Sequence, residues 1–119
     1  MGRYGLDWDK GYENFTDEDY NLIMAETTKI IETNKPDELL SGAYYDRGII
    51  YNDRGKYEIA ISDFTSALQF NFNHPDAAYY NRGLAYYMLE KFDLALSDFN
   101  EALQINPDDQ DTIKFIGHV

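Results

Sequence analysis

The second half of this 119-residue chain states one pattern twice. Ala43-Tyr44-Tyr45-Asp46-Arg47-Gly48 returns as Ala78-Tyr79-Tyr80-Asn81-Arg82-Gly83, Asp63-Phe64 as Asp98-Phe99, and Ala67-Leu68-Gln69 as Ala102-Leu103-Gln104, all at an offset of 35. Between residues 43–76 and 78–111, 16 of 34 positions are identical, and most others are conservative, as with Tyr57 and Phe92. A period in this range excludes most folds. It fits a solenoid in which each unit buries its apolar face on its neighbour. Such arrays present surfaces, so the repeat predicts binding rather than catalysis.

The residues at fixed places in the period are Tyr44, Gly48, Tyr51, Tyr57, Ala60, Phe64 and Ala67, then Tyr79, Gly83, Tyr86, Phe92, Ala95, Phe99, Ala102 and Pro107. In this the chain resembles the tetratricopeptide repeat family, in the manner of a small acidic member. The period is one residue longer than the usual 34, and the extra residue fits the connection over 71–77. Phe72 stands where the second copy has Pro107.

The resemblance implies an all-α fold, an antiparallel helix-pair solenoid with two full repeats flanked by half repeats. An irregular arm over 1–15 precedes a helical domain over 16–119. That domain divides into a degenerate half repeat (16–35), repeats over 36–74 and 75–106, and a terminal helix over 107–119. The residues support each division. Thr16 followed by Asp19 forms a capping box, and Tyr20, Ile23, Met24, Thr27, Ile30 and Ile31 then share one helical face. Shifted by 37, this helix lies on the second helix of the first repeat, Tyr20 on Tyr57 and Ile23 on Ala60. Arg54-Gly55 makes the turn between the helices 37–53 and 56–70; helices over 75–89 and 91–105 follow. At the end, Ile113 falls where Tyr44 and Tyr79 stand.

Small residues at Gly48, Ala60, Gly83 and Ala95 permit close helix approach, and Tyr51, Phe64, Tyr86 and Phe99 fill the space beside them. Arg47 with Asp63, and Arg82 with Asp98, recur together. A guanidinium beside a packed helix face calls for a carboxylate, so each Arg is expected to form an interhelical ion pair with a repeat Asp, in its own repeat or in the adjacent one. Ile113, Phe115 and Ile116 leave the terminal helix apolar. One or more of them is expected to be covered by another chain or by the arm that carries Trp8.

Charge and composition narrow the function. The net charge is −12, and no segment is basic, so polyanion binding through phosphates and attraction to anionic membranes are disfavoured. No stretch approaches the roughly 20 apolar residues of a membrane span, and no apolar leader is evident, so the default placement is cytoplasmic. There is no cysteine, hence no disulfide or thiol chemistry. His74 and His118 lack metal-ligand or nucleophile context. Asp17-Glu18-Asp19 and Asp108-Asp109-Gln110-Asp111 read as helix N-termini rather than metal loops. The sequence therefore predicts no enzyme, no metal and no cofactor.

In the family the first helix of each repeat lines a concave groove. The matching positions are Tyr45, Ile49, Asn52 and Asp53 in one repeat and Tyr80, Leu84, Tyr87 and Met88 in the next, with Asn81 nearby; Lys114 and His118 continue the row. The implied function is a non-catalytic adaptor or scaffold that takes a peptide or helix in a tyrosine-lined groove, from a protein partner bringing apolar and basic residues. Self-association, as a homodimer through the terminal helix, is one alternative. A dedicated chaperone for a secreted or assembling client is another. Some members of the family grip a C-terminal carboxylate, but the matching positions hold Tyr45, Ile49, Asn81, Asp111 and Phe115, of which only Asn81 suits that task.

Overall fold

A computed structural model describes residues 3–6, 8–11 and 14–118, and among them there are α-helices and 3-10 turns and no strands. The helices are α1 Asp17–Glu32, α2 Asp37–Asp53, α3 Tyr57–Gln69, α4 Pro75–Met88, α5 Phe92–Ile105 and α6 Gln110–Ile116. Each packs on the next in chain order, α2 most extensively on α3 and α4 on α5. This is the all-α helix-pair solenoid that the period predicts.

Local chemistry sets the helix ends. At α1 the Thr16 hydroxyl accepts from the Asp19 amide at 3.1 Å, and the Asp19 carboxylate accepts from the Thr16 amide at 2.9 Å. The box satisfies two groups that an uncapped helix leaves orphaned. Pro75 opens α4, where its fixed φ suits a first turn. Asp109 caps α6 with one oxygen to the Asp111 amide and the other to the Thr112 hydroxyl. After α2 the chain reverses through Gly55 at φ +76°, and after α4 through Glu90, its repeat equivalent, at φ +60°.

Packing follows the repeated small and large residues. Phe64 and Phe99 are fully buried, as are Ala60, Ala67, Ala95 and Ala102. A Cβ added at Gly48 would lie 2.7 Å from the Phe64 ring, and one at Gly83 would lie 2.6 Å from the Phe99 ring. Each glycine is therefore where the first helix of a pair touches the aromatic core residue of the second. Burial of each ring contributes roughly 1.5–3 kcal/mol.

The ion pairs form within each repeat. Arg47 donates twice to Asp63, both at 2.8 Å, and Arg82 donates twice to Asp98, both at 2.7 Å. Both carboxylates are buried. The hydrogen bonds to those carboxylates raise the pKa of each guanidinium, against the opposing effect of burial. Each guanidinium also lies over two tyrosine rings, Tyr44 and Tyr51 for Arg47, Tyr79 and Tyr86 for Arg82, at 5.4–6.0 Å.

The arm differs from its expected form and place. The described part of 1–15 is not without regular structure: it makes two 3-10 turns, Arg3–Gly5 and Trp8–Lys10, and buries Leu6 and Phe15 against Tyr20, Ile23 and Ile50. The arm also sits at the α1–α2 end, not over the terminal helix. Arg3 and Tyr4 hydrogen-bond Asp46 of α2. The terminal helix is instead held by its own neighbours. Phe115 contacts Tyr80, Tyr87 and Phe99 at 5.9–6.1 Å, while Ile113 remains 43% exposed.

Candidate functional site

A cleft of about 390 Å³ opens between α2, α4 and α6, lined by Ile49, Asn52, Asp53, Tyr57, Asn81, Leu84, Tyr87, Met88 and Phe115. Apart from Tyr57 of α3, its walls come from α2, α4 and α6. Ile49, Asn52 and Asp53 lie at spacings of three and four on α2, and Asn81, Leu84 and Met88 do the same on α4, so each set shares a face. Ile49, Leu84, Tyr87, Met88 and Phe115 make the surface mainly apolar. Met88, at 55% exposure, is the most open large apolar side chain in the chain's described part.

Polar groups in the cleft are few. The Asn52 amide nitrogen donates to the Asn81 carbonyl at 3.0 Å, which ties α2 to α4. The Asn52 side-chain oxygen is buried and, among the described residues, accepts no hydrogen bond. Asp53 supplies the one formal charge among the lining residues; its carboxylate accepts from the Tyr20 hydroxyl, and the Arg54 guanidinium lies 5.2 Å from the Tyr20 ring centre. Burial first, then the Asp53 hydrogen bond and charge, push the Tyr20 phenol up to about 12.

The structure thus brings seven of the nine expected groove residues to one cleft and puts Tyr45 and Tyr80 elsewhere. Tyr45 stacks on Phe72 at 4.4 Å and its hydroxyl accepts from the Asn81 amide at 3.0 Å. Tyr80 lies against Phe99 and Phe115 and supports the cleft wall from behind. Burial, then the charges of Asp111 and Asp109, push its phenol up to about 12. Both tyrosines are packing residues between successive repeats. The substitution of Phe72 for a proline is the signal for Tyr45, because it supplies a ring for Tyr45 to stack on.

Tyr57 and Phe115 were not among the expected groove residues. Phe115 follows the spacing, since it stands 34 residues after Asn81. Tyr57 opens α3 and reaches the cleft only because the Gly55 turn folds back beside Asp53. Asn81 spends its amide donors on the Ala77 carbonyl and Tyr45, which leaves the carboxylate-gripping mode without its single matching donor. His74 and His118 are exposed and lie edge-on to Phe72 and Phe115. Among the described residues no group of acidic or histidine side chains is arranged to hold a metal ion.

Comparisons with known proteins bear on the repeats that frame the cleft. Two tetratricopeptide repeat family models match the chain, one over residues 41–74 and the other over residues 77–109. Among curated proteins nothing matches. The matched stretches take in all of α3 and α5 and most of α2 and α4, and the chain belongs to the tetratricopeptide repeat family.

Proposed function

We propose that the cleft between α2, α4 and α6 is where this interaction module takes its partner, and that the partner inserts an apolar or aromatic anchor with a basic residue beside it. The observation that carries this reading is the cleft's composition: six apolar or aromatic residues and the single carboxylate of Asp53. An anchor would desolvate Leu84, Tyr87 and Phe115. Lys or Arg from the partner would sit by Asp53. Nothing in the cleft supplies a nucleophile paired with a base, so the reading is recognition without chemistry.

Photo-crosslinking tests it. A benzoylphenylalanine at Met88, in the cleft, should capture a partner from cell extract that the same residue at Glu58, on the outer face, does not. With that partner purified, Tyr87→Ala should weaken binding at least tenfold, the usual consequence of truncating an aromatic anchor. Capture from Glu58 with none from Met88 would move the site to the outer face.

Ile113, half-exposed on α6, supports a second reading in which the module associates with itself through the terminal helix. Sedimentation of the wild type and Ile113→Glu across a hundredfold concentration range separates the two: a dimer lost in the variant favours self-association.

A further inference from the structure

Asp46 is a carboxylate 1% exposed on α2, and its hydrogen bonds come from the arm. Arg3 donates to both oxygens at 2.9 Å, and the Tyr4 hydroxyl donates at 2.9 Å. The arm makes a compact ligand. The Arg3 guanidinium lies 4.3 Å from the centre of the Trp8 ring, the Trp8 indole donates to the Arg3 carbonyl at 2.9 Å, and Trp8 packs edge-on against Phe15.

The repeat shows what the arm replaces. Asp46 and Asn81 are equivalent, 35 residues apart. Asn81 bonds the Tyr45 hydroxyl, which comes from the first helix of the preceding repeat. Asp46 bonds the Tyr4 hydroxyl, which comes from a single 3-10 turn. The arm therefore supplies to α2 the contact that a preceding first helix supplies to α4. We propose that the surface around Asp46 is a second recognition site, for a protein segment carrying arginine next to tyrosine, and that the arm is its resident occupant in cis.

Three observations support exchange of that occupant. With the arm docked, Asp46 is buried, which raises its carboxyl, and the Arg3 guanidinium opposes that rise, so the docked site favours an occupant carrying a guanidinium. Tyr4 holds a left-handed backbone, φ 60° and ψ 17°, which a tyrosine adopts at a cost and a ligand in trans need not. The Arg3 side chain, 56% exposed, also borders a cavity of about 670 Å³ shared with Glu38, Tyr45, Asn73 and His74, so a competing segment has room to approach.

The test uses the full chain and a fluorescein-labelled, N-acetylated peptide copying residues 3–11. The Arg3→Ala chain, whose Asp46 lacks its arginine, should bind the peptide at least tenfold more tightly than the wild type, whose own arm competes at millimolar effective concentration. Adding Asp46→Asn to Arg3→Ala, or citrulline for the peptide's arginine, should each weaken binding at least tenfold. Equal binding by wild type and Arg3→Ala, or indifference to Asp46→Asn, overturns the proposal. Should Arg3→Ala lose its helical circular dichroism, the wild type serves with an unlabelled peptide carrying Phe in place of tryptophan. Trp8 is the chain's single tryptophan, and at several millimolar peptide its acrylamide quenching should at least double as the arm leaves. Unchanged quenching overturns the proposal as well.

Discussion

At the scale of single residues the fold turns on close contacts that leave little freedom. Gly83 is normally a poor helix residue, costing about 1 kcal/mol against Ala, yet its place is fixed by the fully buried ring of Phe99. A Cβ there would sit 2.6 Å from that ring and 3.3 Å from the Asp98 Cβ. Gly83→Ala should therefore destabilise despite the better helix propensity, and Gly83→Leu should cost several kcal/mol, above the 1–3 kcal/mol typical of overpacking. Urea denaturation measures both; a Leu variant as stable as the parent would show that the contact yields freely. Asp98 explains part of the rigidity, because its bidentate pair with Arg82 and the further bond from Arg82 to Thr65 at 3.1 Å fix the helix that carries Phe99.

The tyrosines give a second residue-scale expectation. Tyr20 and Tyr80 are pushed up to about 12, and Tyr4 lies well above the usual phenol range through burial and its bond to Asp46. A raised phenol keeps its proton in the fold and releases it near 10 when unfolded. The stability these groups contribute is complete below pH 10 and is lost as pH rises toward 12. Absorbance at 295 nm should show a late-titrating set that includes all three, and Tyr80→Phe should flatten part of the stability loss between pH 10 and 12. A Tyr80→Phe titration identical to the parent's would contradict the assignment.

At the scale of elements, the two repeats differ most usefully at their turns. Gly55 and Glu90 occupy equivalent positions and both adopt positive φ, but only one is glycine. A non-glycine residue pays roughly 1–2 kcal/mol in the left-handed region, while glycine loses about 0.5–1 kcal/mol of chain entropy. Glu90→Gly should therefore raise stability by about 0.5–1 kcal/mol and Gly55→Glu should lower it by a similar amount, read as shifts in denaturation midpoint. A destabilised Glu90→Gly would mean that the glutamate side chain holds the turn.

Those elements also show what the sequence makes legible. Helices α2 to α5 are readable because each packing demand is written twice, Gly48 with Phe64 and Gly83 with Phe99. The cleft is partly readable, because the family resemblance carries its groove positions onto Ile49, Asn52 and Asp53. The removal of Tyr45 from it depends on Phe72, which breaks the repeat and so has no second copy to explain it. The docking of the arm is illegible for a different reason. Arg3 and Asp46 are 43 residues apart, and no period links a one-turn segment to a helix.

On the scale of the whole molecule, the chain is an acidic array, 37 × 29 × 25 Å, with a mainly apolar cleft between α2, α4 and α6. On the proposed reading, the chain's net charge of −12 would draw a basic partner at long range, whereas the anchor contact would be short-range and apolar. These two contributions respond differently to salt. Raising ionic strength from 0.1 to 1 M shortens the screening length from about 10 Å to about 3 Å, so association should slow markedly while dissociation changes little. Asp53→Asn should weaken binding of the partner captured at Met88 and reduce its salt dependence, because it removes the charge nearest the anchor. Tyr87→Ala should instead speed dissociation and leave the salt dependence as it was. Stopped-flow measurement of both rates over that salt range decides the matter: if Tyr87→Ala acted on the association rate alone, recognition would reside in the acidic field of the array rather than in its cleft.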